Sequence, residues 1–303
     1  MIGPGEDLNS LISKGDHLGV LRYIRAHELR EPALVVSHGK ALLGDKLNKG
    51  LTDTACRTAA LEQICLAALD TDNHELADLS LGEIKRHVDE SSTRYRRLEG
   101  RCKEGREDYE GAMTVYEGLL KENPSNLVAL QRKYCVLRAQ RKEPEVVLEA
   151  LNEYLGQQMA DVSAWYEMAQ LRLSLADFKG AAYALEQVVL GSPLEADIHR
   201  ELAEVYATIG GLENVTLARK HMAQALELEP NNVRAQLGLV SIANQYLEES
   251  NQASKKLQDE HERLVALELV RFGASEVLKS YKGTPMFAAV KRVMDDYTEN
   301  LES

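Results

Sequence analysis

Prolines at positions 124, 193 and 230 each close a segment in which the same order of small, large and aromatic residues returns, at a period of about 34 residues. A period of that length is too long for one strand. It suits two short helices, each too narrow to bury its apolar stripe alone, so it predicts antiparallel helix pairs stacked one on the next. The cleanest segment runs from Val162 to Pro193. Trp165, Met168, Ala169 and Leu171 stripe its first helix, Asp177-Phe178 turns the chain, and Ala181, Leu185 and Val188 stripe its second. Two helices approach closely only where small residues face each other, which makes Ala169 and Ala181 the expected contact points. Pro193 then stops the second helix, since proline lacks the amide donor and turns the preceding residue away from helical geometry.

The same frame places Gly100, Tyr109, Ala112, Tyr116, Leu119 and Pro124 in one neighbouring unit. Leu202, Ala203, Tyr206, Ala218, Met222, Ala225 and Pro230 fall in another. Between them lies a degenerate copy, Leu127 to Asp161, with Tyr134 where a small residue is usual and Met159 in place of proline. This is the grammar of the tetratricopeptide repeat, and the predicted fold class is all-α, a superhelical solenoid of antiparallel helix pairs. The array is expected over 58–247, with an N-terminal helical cap over 1–57 and a C-terminal helical cap over 248–303 that ends in a frayed tail. The first cap reads as a helix pair blurred by glycines, the second as a helical pair broken near Gly283-Thr284-Pro285. Gly210-Gly211-Leu212-Glu213-Asn214 makes its unit three residues longer than the standard period, an excess expected to lengthen the turn between its helices.

Composition narrows the function. Lys and Arg number 36 against 48 Asp and Glu, a net charge of −12 that opposes binding to nucleic acid or anionic lipid. The N-terminus has neither a basic nor an apolar segment of the export type, and apolar runs such as Cys65 to Leu69 fall far short of the roughly 18 residues a bilayer span demands. Cysteines 56, 65, 102 and 135 form no CxxC pair and are expected to be reduced core thiols. Asn214-Val215-Thr216 matches a glycosylation acceptor by chance.

No catalytic set emerges. His27, His74 and His261 precede glutamates but lack the second His of a zincin helix, and neither Gly3-Pro4-Gly5 nor Ser37-His38-Gly39-Lys40 completes a phosphate loop. Hence no enzyme, metal or cofactor is expected. Outward residues of the first helices should instead line a groove. In it Arg94, Arg97 and Arg101, with Arg138 from the next repeat, form a basic strip on an acidic chain. Tyr166, Gln170 and Arg200 are the equivalent positions further along. Guanidinium forks pair with carboxylates, so the strip is expected to receive an acidic segment or a C-terminal carboxylate, unless it is a solvated face balanced by Glu99 and Glu104. Trp165 sits at a packing position and is expected to fill the core.

Two resemblances give these positions a context. Chaperone adaptors of the tetratricopeptide family grip a terminal carboxylate with basic residues and asparagine. Arg97 and Arg101 imitate part of that clamp, but Cys135 stands where asparagine is needed, and Tyr166 and Gln170 replace the basic pair. Such an adaptor, binding soluble peptide without a complete clamp, is the alternative reading. The chain more closely resembles the family of subunit 2 of the endoplasmic reticulum membrane protein complex. The likeness lies in Ala67-Ala68-Leu69-Asp70, Tyr95-Arg96-Arg97-Leu98-Glu99-Gly100, Leu151-Asn152-Glu153-Tyr154-Leu155, and Gly210-Gly211-Leu212-Glu213-Asn214 leading into Ala218-Arg219-Lys220 and Ala223-Gln224-Ala225-Leu226. That resemblance implies a non-catalytic scaffold, peripheral on the cytosolic face of the endoplasmic reticulum membrane. It would bind cytosolic loops and tails of the membrane subunits of an insertase, together with a soluble partner subunit. A homo-oligomer is not expected.

Overall fold

The computed structural model describes residues 7–45, 54–252 and 260–299. The Gly3-Pro4-Gly5 segment and the last residues of the expected frayed tail, 300–303, lie outside them. Among the described residues every regular element is a helix, and the helices group into two compact units, Met1–Gln157 and Gln158–Ser303.

The first unit opens with α1 (Leu8–Ser13), α2 (His17–Ala26) and α3 (Pro32–Asp45). Three helices therefore stand where the sequence predicted a pair. Gly15, at φ +67°, breaks the run, Asp16 restarts it by accepting the Gly19 N–H at 2.9 Å, and Pro32 opens the third helix, where its missing amide costs nothing. Three pairs follow: α4 (Thr54–Asp70) with α5 (His74–Lys85), α6 (Thr93–Gly105) with α7 (Tyr109–Glu122), and α8 (Leu127–Ala139) with α9 (Pro144–Gln157). The second unit holds α10 (Val162–Ser174) with α11 (Phe178–Gly191), α12 (Ala196–Ile209) with α13 (Leu212–Leu228), α14 (Val233–Gln252) with α15 (Glu260–Tyr281), and α16 (Phe287–Glu299). Gly283, at φ +82°, marks the break before α16.

Short polar side chains set many of the helix starts. Asn73, Ser92, Asp108, Asn126, Asp161 and Asp177 each accept the backbone N–H three residues on, satisfying a donor that the helix leaves orphaned. Before the capping residue of three second helices, one non-glycine residue takes the left-handed conformation: Asp72 (φ 57°), Glu107 (φ 61°) and Ala176 (φ 56°). This tight reversal lets the two helices of a pair run back to back.

Packing follows the small-residue frame. Ala112, Ala169, Ala181, Ala203 and Ala218 are fully buried, Tyr116 is sealed in, and Tyr206 is buried but for an edge. Gly100 lies so close to Tyr116 that an added Cβ would stand 2.6 Å from the ring. Pro124, Pro193 and Pro230 are exposed, just past the ends of α7, α11 and α13. In the degenerate repeat Tyr134 is buried against Tyr154, ring centroids 5.6 Å apart, so two aromatic rings fill the room that small residues leave elsewhere. Trp165 is only half-buried, edge-on to Tyr183, with its indole N–H donating to the Met159 carbonyl at 2.8 Å.

The Gly210-Gly211 segment departs from expectation. The turn is short, with both glycines at positive φ (71° and 86°), and the extra residues lengthen α13 to 17 residues against 14 for α11. Gly210 (φ 71°, ψ 179°) and Gly211 (φ 86°, ψ 139°) occupy backbone regions that suit glycine, and the short turn leaves Leu212, Glu213 and Asn214 free to form the first helical turn. There Asn214 Nδ2 donates back to the Gly210 carbonyl at 2.8 Å.

Candidate partner-binding face

First helices lie next to one another within each unit: α4 touches α6 and α6 touches α8 in the first, and α12 touches α14 in the second. Their outward faces are the candidate site. A recurring feature there is an ion pair from one first helix to the next. In the first unit Arg94 of α6 grips Glu62 of α4 through Nε and through Nη2 at 2.7 Å, and Arg132 of α8 grips Glu104 of α6, its Nε at 2.9 Å. Glu104 also accepts the Tyr116 hydroxyl, and the buried phenol is pushed well above its ordinary range, by burial first and then by that carboxylate. In the second unit Arg234 of α14 holds Glu204 of α12 with two bonds of 2.8 Å.

These laces sort the predicted arginines. Arg94 is already held by a carboxylate. Arg200 is buried, with bonds to Asp197 at 3.1 and 3.2 Å and to Glu204 at 3.0 Å, and Glu201 lies 3.6 Å away. Burial alone would lower its pKa, but Glu204 and Asp197 more than offset this and raise it. Arg138 lies exposed in the last turn of α8, where a cation favours the helix dipole, and it too has a partner. Tyr166 and Gln170 both donate to Glu201 of the following first helix, at 3.3 and 3.4 Å. Burial first, and Glu201 next, raise the Tyr166 pKa.

Arg97 and Arg101 differ. They stand one helical turn apart on α6, half-buried, and neither has an ion-pair partner among the described residues. The Arg97 Nη2 reaches only the neutral Asn126 Oδ1, at 3.5 Å, and its Nε is buried without a hydrogen-bond partner. Glu99, which could have balanced the strip, pairs with Lys103 at 3.5 Å, and Glu104 is taken by Arg132. Two adjacent guanidiniums are thus without a carboxylate partner among the described residues.

The second unit offers a different surface. A cleft of about 290 Å³ is lined by Gln170, Leu173, Phe178, Glu201, Glu204 and Arg234, among others. The pairing of its carboxylates escaped the sequence analysis, although Glu204 and Arg234 are 30 residues apart and Glu62 and Arg94 are 32 apart. Opposite charges recurring near the repeat period were the available signal.

No group of three or more metal-ligating side chains occurs among the described residues. Ser37-His38-Gly39-Lys40 lies inside α3 rather than in a loop, with His38 paired to His17 at 2.7 Å between Nδ1 atoms. No described helix is long and apolar enough to cross a membrane.

Residues 83–222 match a family model described as the EMC2 TPR-like repeat domain. The chain is 33% identical over 258 residues to ER membrane protein complex subunit 2-A of Xenopus laevis, spanning 85% of this chain and 83% of that protein. It is 27% identical over 208 residues to ER membrane protein complex subunit 2 of Dictyostelium discoideum, spanning 69% and 64% respectively. Among solved structures, the C-terminal part of a TPR repeat-containing protein from Cytophaga hutchinsonii aligns over 93% of this chain and 97% of that one. Its TM-score is 0.51 at 10% identity, a likeness of fold alone.

Proposed function

The chain belongs to the ER membrane protein complex subunit 2 family, and from that premise we propose that it is a non-catalytic scaffold subunit of a membrane protein insertase. It sits peripherally on the cytosolic face of the endoplasmic reticulum membrane, holding cytosolic loops and tails of membrane-embedded subunits and one soluble partner subunit. It works as a single copy without cofactor or metal, and its terminal segments, 1–57 and 248–303, act as helical caps.

The observation that carries the binding role is the Arg97–Arg101 pair, two cations without a carboxylate partner among the described residues. A scaffold's own stability does not require them unpaired, because an arginine with an internal partner, such as Arg94, fills the same kind of position. An acidic segment or a terminal carboxylate of a partner supplies what is missing. Arg138 extends the basic strip from α8; in the second unit Tyr166 and Gln170 tie α10 to Glu201 on α12, and Arg200 binds Asp197 and Glu204 within α12 itself.

Affinity purification of the tagged chain from detergent-solubilised membranes tests the assignment. Several membrane-spanning proteins should be recovered in fixed ratio, whereas recovery of soluble chaperones alone would overturn it in favour of the adaptor reading. Reversing both charges, Arg97→Glu with Arg101→Glu, should reduce partner recovery at least several-fold while leaving the melting temperature nearly unchanged, since neither side chain loses an ion pair. Unchanged recovery would exclude the pair as the binding site.

A further inference from the structure

Cys65 and Cys102 are 37 residues apart and belong to no motif, yet the stacking of first helices brings their Sγ atoms to 3.6 Å. Cys65 lies on α4 and Cys102 on α6, two helices in direct contact. Both thiols belong to the apolar core of the first unit, beside Leu61, Ile64 and Leu98. Cys65 is fully enclosed, while Cys102 keeps 4% of its surface open. Cys56 is placed differently, half-buried, with its sulfur accepting a hydrogen bond from Arg22.

We propose that Cys65 and Cys102 form a modification site at which a peroxide generates a disulfide, stapling α4 to α6. The sulfurs need to close by about 1.5 Å to reach the ~2.05 Å of a disulfide bond, a distance within reach of small rotations about the two Cα–Cβ bonds and a slight helix shift. Both side chains descend from neighbouring backbones into the same space, so the closure follows an existing contact. The surroundings also divide the roles. The hydrogen bond from Cys65 lowers the pKa of Cys102, Arg101 lowers it further, and burial opposes both. The same shared proton raises that of Cys65. Cys102, the less enclosed residue of the two, is therefore the attacking thiolate, and Cys65 is the resolving thiol.

The chemistry balances with the peroxide as sole oxidant. The Cys102 thiolate attacks one peroxide oxygen, the O–O bond breaks, and the departing hydroxide takes a proton from solvent to become water. Cys102 is left as a sulfenic acid. The Cys65 sulfur then attacks the Cys102 sulfur, the S–O bond breaks, and the leaving hydroxyl departs as water with the proton that Cys65 gives up. Two thiols have become one disulfide and one peroxide has become two waters. The crosslink joins the first helices of consecutive repeats at the residue next to Arg101, whatever partner that arginine meets.

Hydrogen peroxide treatment of the reduced, folded full-length chain tests this, followed by alkylation under denaturing conditions. Of the four cysteines, two should escape alkylation, and non-reducing peptide mapping should show a Cys65–Cys102 crosslink lighter by two hydrogens. The melting temperature should rise by several degrees and return on reduction. Cys102→Ser and Cys65→Ser should each abolish the crosslink; Cys65→Ser should leave Cys102 trapped as a sulfenic acid that dimedone captures. Four alkylatable thiols after oxidation, a crosslink through Cys56 or Cys135, or a disulfide that lowers the wild-type melting temperature would each overturn the proposal. The wild-type readings decide the matter even where a serine variant folds poorly.

Discussion

Replacing Gly100 with alanine opposes two effects whose sizes differ. In a helix interior alanine is favoured over glycine by about 1 kcal/mol, because it loses less backbone freedom on folding. At Gly100 the new Cβ would lie 2.6 Å from Cζ and 2.7 Å from Cε1 and the hydroxyl of Tyr116. Carbon contacts prefer ~3.5 Å, so the ring has to retreat by roughly 1 Å. It has little room, being fully buried, with its hydroxyl tied to Glu104, which in turn holds Arg132. Overpacking of this kind costs about 3 kcal/mol, toward the top of its usual range, and the net loss is about 2 kcal/mol. Gly156 is the control: it is an exposed helical glycine of the same unit with nothing within 4 Å of an added Cβ, so alanine there should gain up to ~1 kcal/mol. Thermal melts followed by circular dichroism should show Gly100→Ala lower by roughly 4–8 °C and Gly156→Ala higher by a few degrees. Adding Tyr116→Leu to Gly100→Ala should recover part of the steric loss, as coupled neighbours do. A Gly100→Ala chain that melts at or above wild type would refute the reasoning, since it would mean that the ring yields freely.

Ala176 sits at φ 56°, where its Cβ is crowded, so Ala176→Gly should stabilise the second unit by up to ~1 kcal/mol, measured by urea denaturation. Arg219 is buried on α13, donates to the Glu262 carbonyl at 3.1 Å, pairs with the Glu262 carboxylate and lies over the Tyr246 ring; Arg219→Ala should cost about 3 kcal/mol, and Arg219→Met less because its stem keeps the packing. His199 donates through Nε2 to the Pro193 carbonyl at 3.1 Å, which leaves its Nδ1 to accept from Nδ1 of a neutral His221 at 3.0 Å. Burial, then the nearness of the His199 ring, holds the His221 pKa below 6.5, so the unfolded chain binds the proton first and stability falls as pH drops below about 6.5. Melting temperatures taken between pH 7.5 and 5 should fall less steeply for His221→Asn, and identical slopes would rule out that histidine as the source.

Much of the fold was legible because its determinants are local. Asp177 announces the turn into a second helix, Pro193 and Pro230 announce stops through their own rings, and Ala169 and Ala181 mark close approach by size alone. A 34-residue period then implies the stack, since each pair needs the next to cover its apolar face. Lengths were less legible where glycine intervened: the sequence of Gly210-Gly211 announced a turn, but whether the extra residues would extend the loop or α13 depended on how tightly two positive-φ residues reverse the chain.

The candidate site was legible as a set of residue types and not as a set of partners. By itself the sequence determined that Arg94, Arg97 and Arg101 share one outward helix face, because helical spacing is a property of one segment. Only the tertiary structure decided that Arg94 is held by Glu62 while Arg97 and Arg101 are not, and that Cys65 meets Cys102. The reason is physical: an ion pair or a sulfur contact depends on what another repeat brings within about 4 Å, and side-chain reach across adjoining helices varies with small differences in register that no single helix encodes.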